Sequence, residues 1–94
     1  MAIWAVVHII HTRVPRQHIP VLVIRDVPEG ERVTVGLLER AGFRYGEFGS
    51  PWANHYITRV NEDSPSDLIA RLRAGEGRWI SYQELVRRAS EPLL

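Results

Sequence analysis

The sequence predicts a single α+β domain over residues 1–94, built as a four-stranded, mainly antiparallel sheet with its helices packed on one face. Two long, apolar, β-branched segments, at residues 3–12 and 21–27, are typical of central strands. Segments with helical spacing and well-defined ends follow them, so the elements are expected in the order ββα-ββαα. A chain of 94 residues is long enough to bury one core.

The first half predicts two strands and one helix. Segment 13–20 carries two prolines and separates the apolar strands, which then form an antiparallel pair with a long basic loop. The helix is expected to end at Gly42, with Phe43 as the hydrophobic residue that follows the cap. Its apolar positions recur at helical spacing: Val33, Leu37, Leu38 and Ala41.

The second half predicts a hairpin and two capped helices. The third strand is expected around Phe43, Tyr45 and Phe48, and the fourth over residues 55–60. Ser64 and Ser81 each precede a helical segment and are expected to act as N-caps. Trp4 and Trp79 are assigned to the core. The residues expected to be almost fully buried are Ile9, Val23, Leu38, Ile57, Leu72 and Leu85.

All twelve basic residues are arginine. Arginine presents a planar fork that suits carboxylates, phosphates and aromatic faces, so such a surface is well supplied for interfaces. Codon usage in a GC-rich genome is the simpler explanation. The net charge of +1 hides basic ends and an acidic middle, a distribution that suits self-association as well as it suits a polyanion.

Several classes of protein are disfavoured. The chain has no cysteine, which removes disulfides and thiolate metal sites. The apolar opening is about half of the roughly 20 residues that a membrane span needs, and it lacks a basic start. We therefore expect a cytoplasmic protein with no membrane partner.

Neither a metal nor a cofactor is expected. His8 and His11 stand three apart on a predicted strand, so they point to opposite faces. His18 and His55 would complete a site only if the tertiary fold happened to bring them together.

Two alternative functions stay open. A small histidine-dependent hydrolase or nuclease would use His11 or His55 as its base, although no carboxylate stands at a dyad-like spacing. A nucleic-acid-binding protein would use the last two helices, which resemble a helix-turn-helix in outline although their connection is longer than the usual 3–4 residues. The basic patch on which that alternative depends comprises Arg71, Arg73, Arg78, Arg87 and Arg88.

The favoured function is a non-catalytic binding or regulatory protein that acts through protein–protein contacts, either with itself as a homo-oligomer or with another protein. Trp52 lies in a predicted loop, where periodicity gives no reason for burial. Arginine beside aromatic residues is the composition of interface centres. The expected contact surface comprises Arg44, Tyr45, Trp52 and Arg59.

Replacing Arg44 and Trp52 with alanine is expected to weaken self-association and leave the melting temperature nearly unchanged. Truncating an interface anchor typically costs about 2 kcal/mol of binding. Sedimentation and a thermal melt check this, and a Trp52→Ala variant that unfolds would show that Trp52 belongs to the core.

Overall fold

The sheet is built around two long antiparallel strands. The computed structural model describes residues 1–44 and 55–91 of the chain. Strand β1 (Ala2–Ile10) pairs antiparallel with β2 (Gln17–Val27) along almost its whole length. The pairing holds two register irregularities, and at one of them Asp26 adopts a φ of 62°. The predicted antiparallel pair of central strands is confirmed, but its bounds differ. Strand β1 ends at Ile10, and β2 already begins at Gln17, so Pro20, which is expected in the loop, lies in the pairing opposite Val7.

Two shorter strands flank this pair. Strand β3 (His55–Arg59) runs antiparallel to β1, and β4 (Arg78–Ser81) runs parallel to β2. The strand order is β3-β1-β2-β4, which makes a mixed and mostly antiparallel sheet of four strands. Three helices complete the described fold: α1 (Val35–Arg40), α2 (Ser66–Arg73) and α3 (Tyr82–Ser90).

The order of elements differs from the prediction. The described elements run ββαβαβα, not ββα-ββαα. The expected third strand does not begin at Phe43 or Arg44, and its remaining residues, Tyr45 and Phe48, lie outside the described residues. The additional strand is β4, within the segment interpreted from the sequence as a connection between two helices. A strand of four residues is too short to show a clear alternation.

The helices cover both faces of the sheet, so the predicted one-face arrangement is wrong. Val6 and Leu22 pack with Leu38 of α1 and Leu85 of α3 on what we call the α1/α3 face. Ala5 and Val7, whose side chains alternate with that of Val6, pack with Leu68 of α2 on the opposite α2 face.

Burial agrees with the expected core in part. Val23, Leu38 and Leu85 are fully buried, as predicted. Ile9, Ile57 and Leu72 are only partly buried, because they lie toward the ends or margins of their elements. The expectation that Trp79 is core is wrong: its side chain lies on the edge strand and is 39% exposed. Trp4 is partly buried and packs against the α1/α3 core.

The helix ends follow local chemistry with one exception. Gly42, with a φ of 96°, ends α1 as predicted, and the amide of Phe43 donates to the carbonyl of Leu38. Ser81 caps α3 as predicted, since its Oγ accepts from the amide of Glu84 at 3.1 Å. Ser64 does not cap α2. Its Oγ accepts instead from the amide of Asn61, and the N-cap position falls on Pro65.

Gly77 allows β4 to approach β2 closely. A Cβ atom at this position would lie 3.0 Å from the carbonyl oxygen of Pro20 and 3.2 Å from Cγ2 of Val23. Its φ of 94° also disfavours any residue with a side chain. The edge strand therefore depends on this glycine for both its backbone conformation and its space.

Within the part of the chain that the structure describes, no helix is long and apolar enough to cross a membrane.

Replacing Gly77 with alanine is expected to destabilise the fold by about 2–4 kcal/mol, because a positive φ and a steric clash both oppose the methyl group. Gly75→Ala is the matched control, since Gly75 also has a positive φ of 79° but a Cβ atom there would meet nothing within 4 Å. It should cost only about 1–2 kcal/mol. Denaturant unfolding measures both, and equal losses would contradict the proposed close approach.

Candidate functional site

The densest polar cluster of the described chain is centred on the carboxylate of Asp67. Its Oδ2 accepts from the backbone amide of His18 at 2.8 Å and from Nη1 of Arg71 at 2.6 Å. Its Oδ1 lies 3.0 Å from Nδ1 of the His18 ring. The same Nη1 of Arg71 also reaches the carbonyl oxygen of His18 at 3.4 Å. Both carboxylate oxygens are therefore engaged.

Two elements that are distant in sequence position these groups. His18 lies near the start of β2, where the strand leaves the basic loop, and pairs with Ile9 of β1. Asp67 and Arg71 stand four residues apart on α2, so they share one side of the helix. Helix α2 packs against the sheet through Leu68, and the hydrogen bond from the His18 amide to Asp67 brings its first turn to the beginning of β2. The cluster ties this helix to the sheet across 49 residues of sequence.

The electrostatics of the cluster favour an ionised Asp67. Partial burial alone would raise the pKa of Asp67, but the hydrogen bonds from the His18 amide, the His18 ring and Arg71 outweigh it and lower that pKa. Tyr56 of β3 is affected in turn. Burial, and then the negative charge of Asp67, raise the pKa of the Tyr56 hydroxyl.

The ionised carboxylate also sets the histidine tautomer. A carboxylate can only accept, so Nδ1 of His18 carries the proton that is donated to Asp67. The other ring nitrogen, Nε2, has no hydrogen-bond partner among the described residues. Such an arrangement orients an imidazole for proton transfer or ligation. Among residues 1–44 and 55–91, however, no three His, Cys, Asp or Glu side chains are grouped as a metal site would require.

A second histidine pair lies across β1 and β3. His8 and His55 are direct cross-strand neighbours, and their ring centroids are 4.7 Å apart. Burial lowers the pKa of His8, and the nearby His55 and His11 lower it further. Nδ1 of His8 is buried and has no hydrogen-bond partner within the described segments. This pair contains no carboxylate, so it does not provide the acid–base dyad that the hydrolase alternative needs.

The predicted contact surface is only partly described. Tyr45 and Trp52 lie outside the described residues. Arg44 is exposed, and its side chain makes no ion pair with the described residues. Nη2 of Arg59 contacts both carboxylate oxygens of Glu29, at 3.1 and 2.9 Å. Whether these four residues form an interface stays a prediction.

The arginines of the predicted basic patch are divided between the two faces. Arg71 and Arg73 lie on α2. Arg78 and Arg88 lie on the other face, where their guanidinium carbons stand 5.2 and 4.6 Å from the ring centroid of Phe43. Arg87 of α3 pairs with Glu84 and Glu91.

The helix-turn-helix outline on which the nucleic-acid alternative depended is wrong. Strand β4 separates α2 from α3, and the two helices pack on opposite faces of the sheet. They cannot place one helix in the major groove of DNA while the other packs against it and contacts the DNA backbone, as that motif requires.

The outer side of β4 is a feature that the sequence did not reveal. Among the described strands, β4 pairs only with β2 and forms one margin of the sheet. Nε1 of Trp79 donates to the carbonyl oxygen of Glu76 at 3.1 Å, so the polar atom of the indole is satisfied while 39% of the residue stays exposed. Only the parallel pairing with β2 identifies this margin, and no local motif signals it.

Comparison with protein-family models, with curated proteins and with solved structures finds no match to this chain.

Replacing Asp67 with asparagine is expected to lower stability by about 1–2 kcal/mol at neutral pH, because charge-assisted hydrogen bonds in a partly solvated site are lost. A carboxyl whose pKa is lowered by folding stabilises the fold above its unfolded pKa of about 3.9, and that contribution disappears as the pH falls through the lower folded value. The variant should therefore lose less stability than the parent as the pH falls below about 4.

Asp63→Asn serves as the control, since the Asp63 carboxylate makes no hydrogen bond or ion pair with the described residues. Chemical unfolding between pH 7 and pH 3 measures all three proteins. A parallel loss of stability by the parent and Asp67→Asn across the acid range would refute the assignment.

Proposed function

We propose that this protein is a non-catalytic binding protein of regulatory type that self-associates through protein–protein contacts. The observation that carries the proposal is the outer margin of β4 with the exposed indole of Trp79. The proposed state is a homodimer in which the β4 strands of two copies pair antiparallel and join two four-stranded sheets into one.

Among the described strands, none pairs with the outer side of β4, and an unpaired sheet margin favours pairing with another strand. Proteins that avoid such pairing use very short edge strands, charged side chains, proline or a bulge. The segment Arg78–Ser81 is short and carries the charge of Arg78, but it contains no proline, and its pairing with β2 shows no register shift. The guanidinium of Arg78 stacks over Phe43 on the α1/α3 face, so its charge is drawn away from the margin.

Trp79 gives the pairing an apolar anchor. Tryptophan is enriched among residues that dominate binding energy, since it buries a large area with few rotatable bonds. The indole N–H of Trp79 already donates within the chain, so burying the ring against a partner would leave no polar atom unsatisfied. The neighbouring Ile80 faces the α1/α3 core, so Trp79 points to the α2 face, where it is the large apolar side chain of β4.

The alternation of side chains restricts the register. Residues directly opposite each other in an antiparallel pair lie on the same face of the sheet. A two-fold axis through Trp79 would place this residue opposite Trp79 of the partner subunit, and cross-strand aromatic pairs are among the favourable ones. Helix α3 begins at Tyr82, directly after β4, and would add area to the contact. An interface centred on a strand of four residues is small, so its dissociation constant is expected to lie in the micromolar to millimolar range.

Sedimentation velocity over a wide concentration range tests the proposal. The parent is expected to show a reversible monomer–dimer equilibrium, and Trp79→Ser should shift it at least about tenfold toward monomer. Val35→Ser is the control, because Val35 is an apolar residue of α1 with a similar exposure of 41%. It should leave the equilibrium unchanged. A thermal melt of each variant verifies that the fold persists.

The same experiment separates the two candidate surfaces. Trp52→Ala tests the surface predicted from the sequence, and Trp79→Ser tests the β4 margin. If the dimer persists in Trp79→Ser but is lost in Trp52→Ala, the β4 margin is not the interface, although the protein does self-associate. A parent that stays monomeric at every concentration would refute self-association itself.

A further inference from the structure

A cavity between the basic loop and α2 is lined by three arginines. Its volume is about 320 Å³, and it lies between residues 13–16 of the β1–β2 loop, with Gln17 at the start of β2, and the first turns of α2. Arg13 and Arg16 line it from the loop, and Arg71 lines it from the helix. Asp67 supplies the one acidic side chain of this lining. The cavity beside Trp4 differs, since its lining balances two arginines with two glutamates.

The single negative charge of Asp67 does not balance the three positive charges of the lining. Both of its oxygens already accept from His18 and Arg71. Three positive charges and one negative charge leave a net charge of +2 in the lining. Asp67 also accepts from His18, which does not line the cavity. Like charges that converge on one partly enclosed space repel each other, and a bound anion relieves that repulsion.

The guanidinium group of Arg71 is fixed by hydrogen bonds at one of its three nitrogens. Its Nη1 is fixed by Asp67 and by the carbonyl oxygen of His18, and its side chain is only 22% exposed. The N–H groups on its Nε and Nη2 have no acceptor among the described residues. An arginine fixed at one nitrogen loses less entropy when the rest of its fork binds an oxyanion.

The loop arginines complete the arrangement. Arg13 and Arg16 are exposed, and neither forms an ion pair within the described chain. Ser66 and Asp67, in the first turn of α2, also line the cavity, and no side chain caps this helix at Pro65. The first-turn amides of α2 therefore add a positive partial charge to that of the guanidinium groups.

We propose that this cavity binds the phosphate group of a small phosphorylated ligand. Arginine forks match the oxygens of a phosphomonoester, and several of them can bind its two negative charges at once. A volume of about 320 Å³ lies at the lower end of the range for small-molecule sites, which fits a compact ligand. The site uses the α2 face and the basic loop, and is separate from the β4 margin.

Titration of the full chain with inorganic phosphate, followed by amide and arginine-Nε NMR, tests the site. The expected result is saturable binding with a dissociation constant of about 1 mM or below, with shifts at residues 13–17, at Nε of Arg71 and in the first turn of α2. Chloride at equal ionic strength should not reproduce these shifts. The double variant Arg13→Gln/Arg16→Gln should bind at least about tenfold more weakly.

The matched control is Arg32→Gln/Arg40→Gln, which removes the same charge near α1, on the opposite face of the sheet. It should retain phosphate binding. Equal losses in the two double variants would show a diffuse charge effect and overturn the proposal, as would an absence of saturable shifts. A single-stranded oligonucleotide is titrated in the same way. If it shifts the signals of these residues and inorganic phosphate does not, the site binds nucleic acid, and the proposal is overturned.

Discussion

The pair of strands β1 and β2 requires cover on both of its faces, because apolar residues occupy successive positions along each strand. Val6 and Val7 point to opposite faces, and both are fully buried. Helices α1 and α3 can shield only one of these faces. The chain must therefore cross the other face, and it does so between β3 and β4, where α2 packs Leu68 against Ala5 and Val7. The crossover delivers β4 to the far side of β2, parallel to it.

That constraint also explains which parts of the fold were predictable. The long apolar runs of β1 and β2, the Gly42 helix end and the Ser81 cap are local signals, and the structure confirms them. The same runs already indicated strands covered on both faces, which conflicts with placing every helix on one side. Helix periodicity could not resolve the conflict, because it shows which side of a helix is apolar but not which face of a sheet the helix covers.

The polar cluster on α2 illustrates what a linear pattern cannot supply. Asp67 looks like an acid placed to favour the start of a helix, and His18 looks like one residue of a basic loop. Their contact spans 49 residues and exists only because α2 crosses the sheet above the start of β2. Trp79 was misassigned for a related reason. A large apolar side chain such as tryptophan suggests a core position unless the strand that carries it is known to be a margin of the sheet.

Strand β4 and helix α3 meet without a loop, since Ser81 is both the last strand residue and the helix cap. Ile80 before this joint and Leu85 after it belong to the same apolar cluster as Leu38 of α1. No residue separates the two elements, so the backbone at Ser81 sets the direction in which α3 leaves the strand. A substitution at Ser81 would therefore disturb the end of the edge strand and the first turn of α3 together.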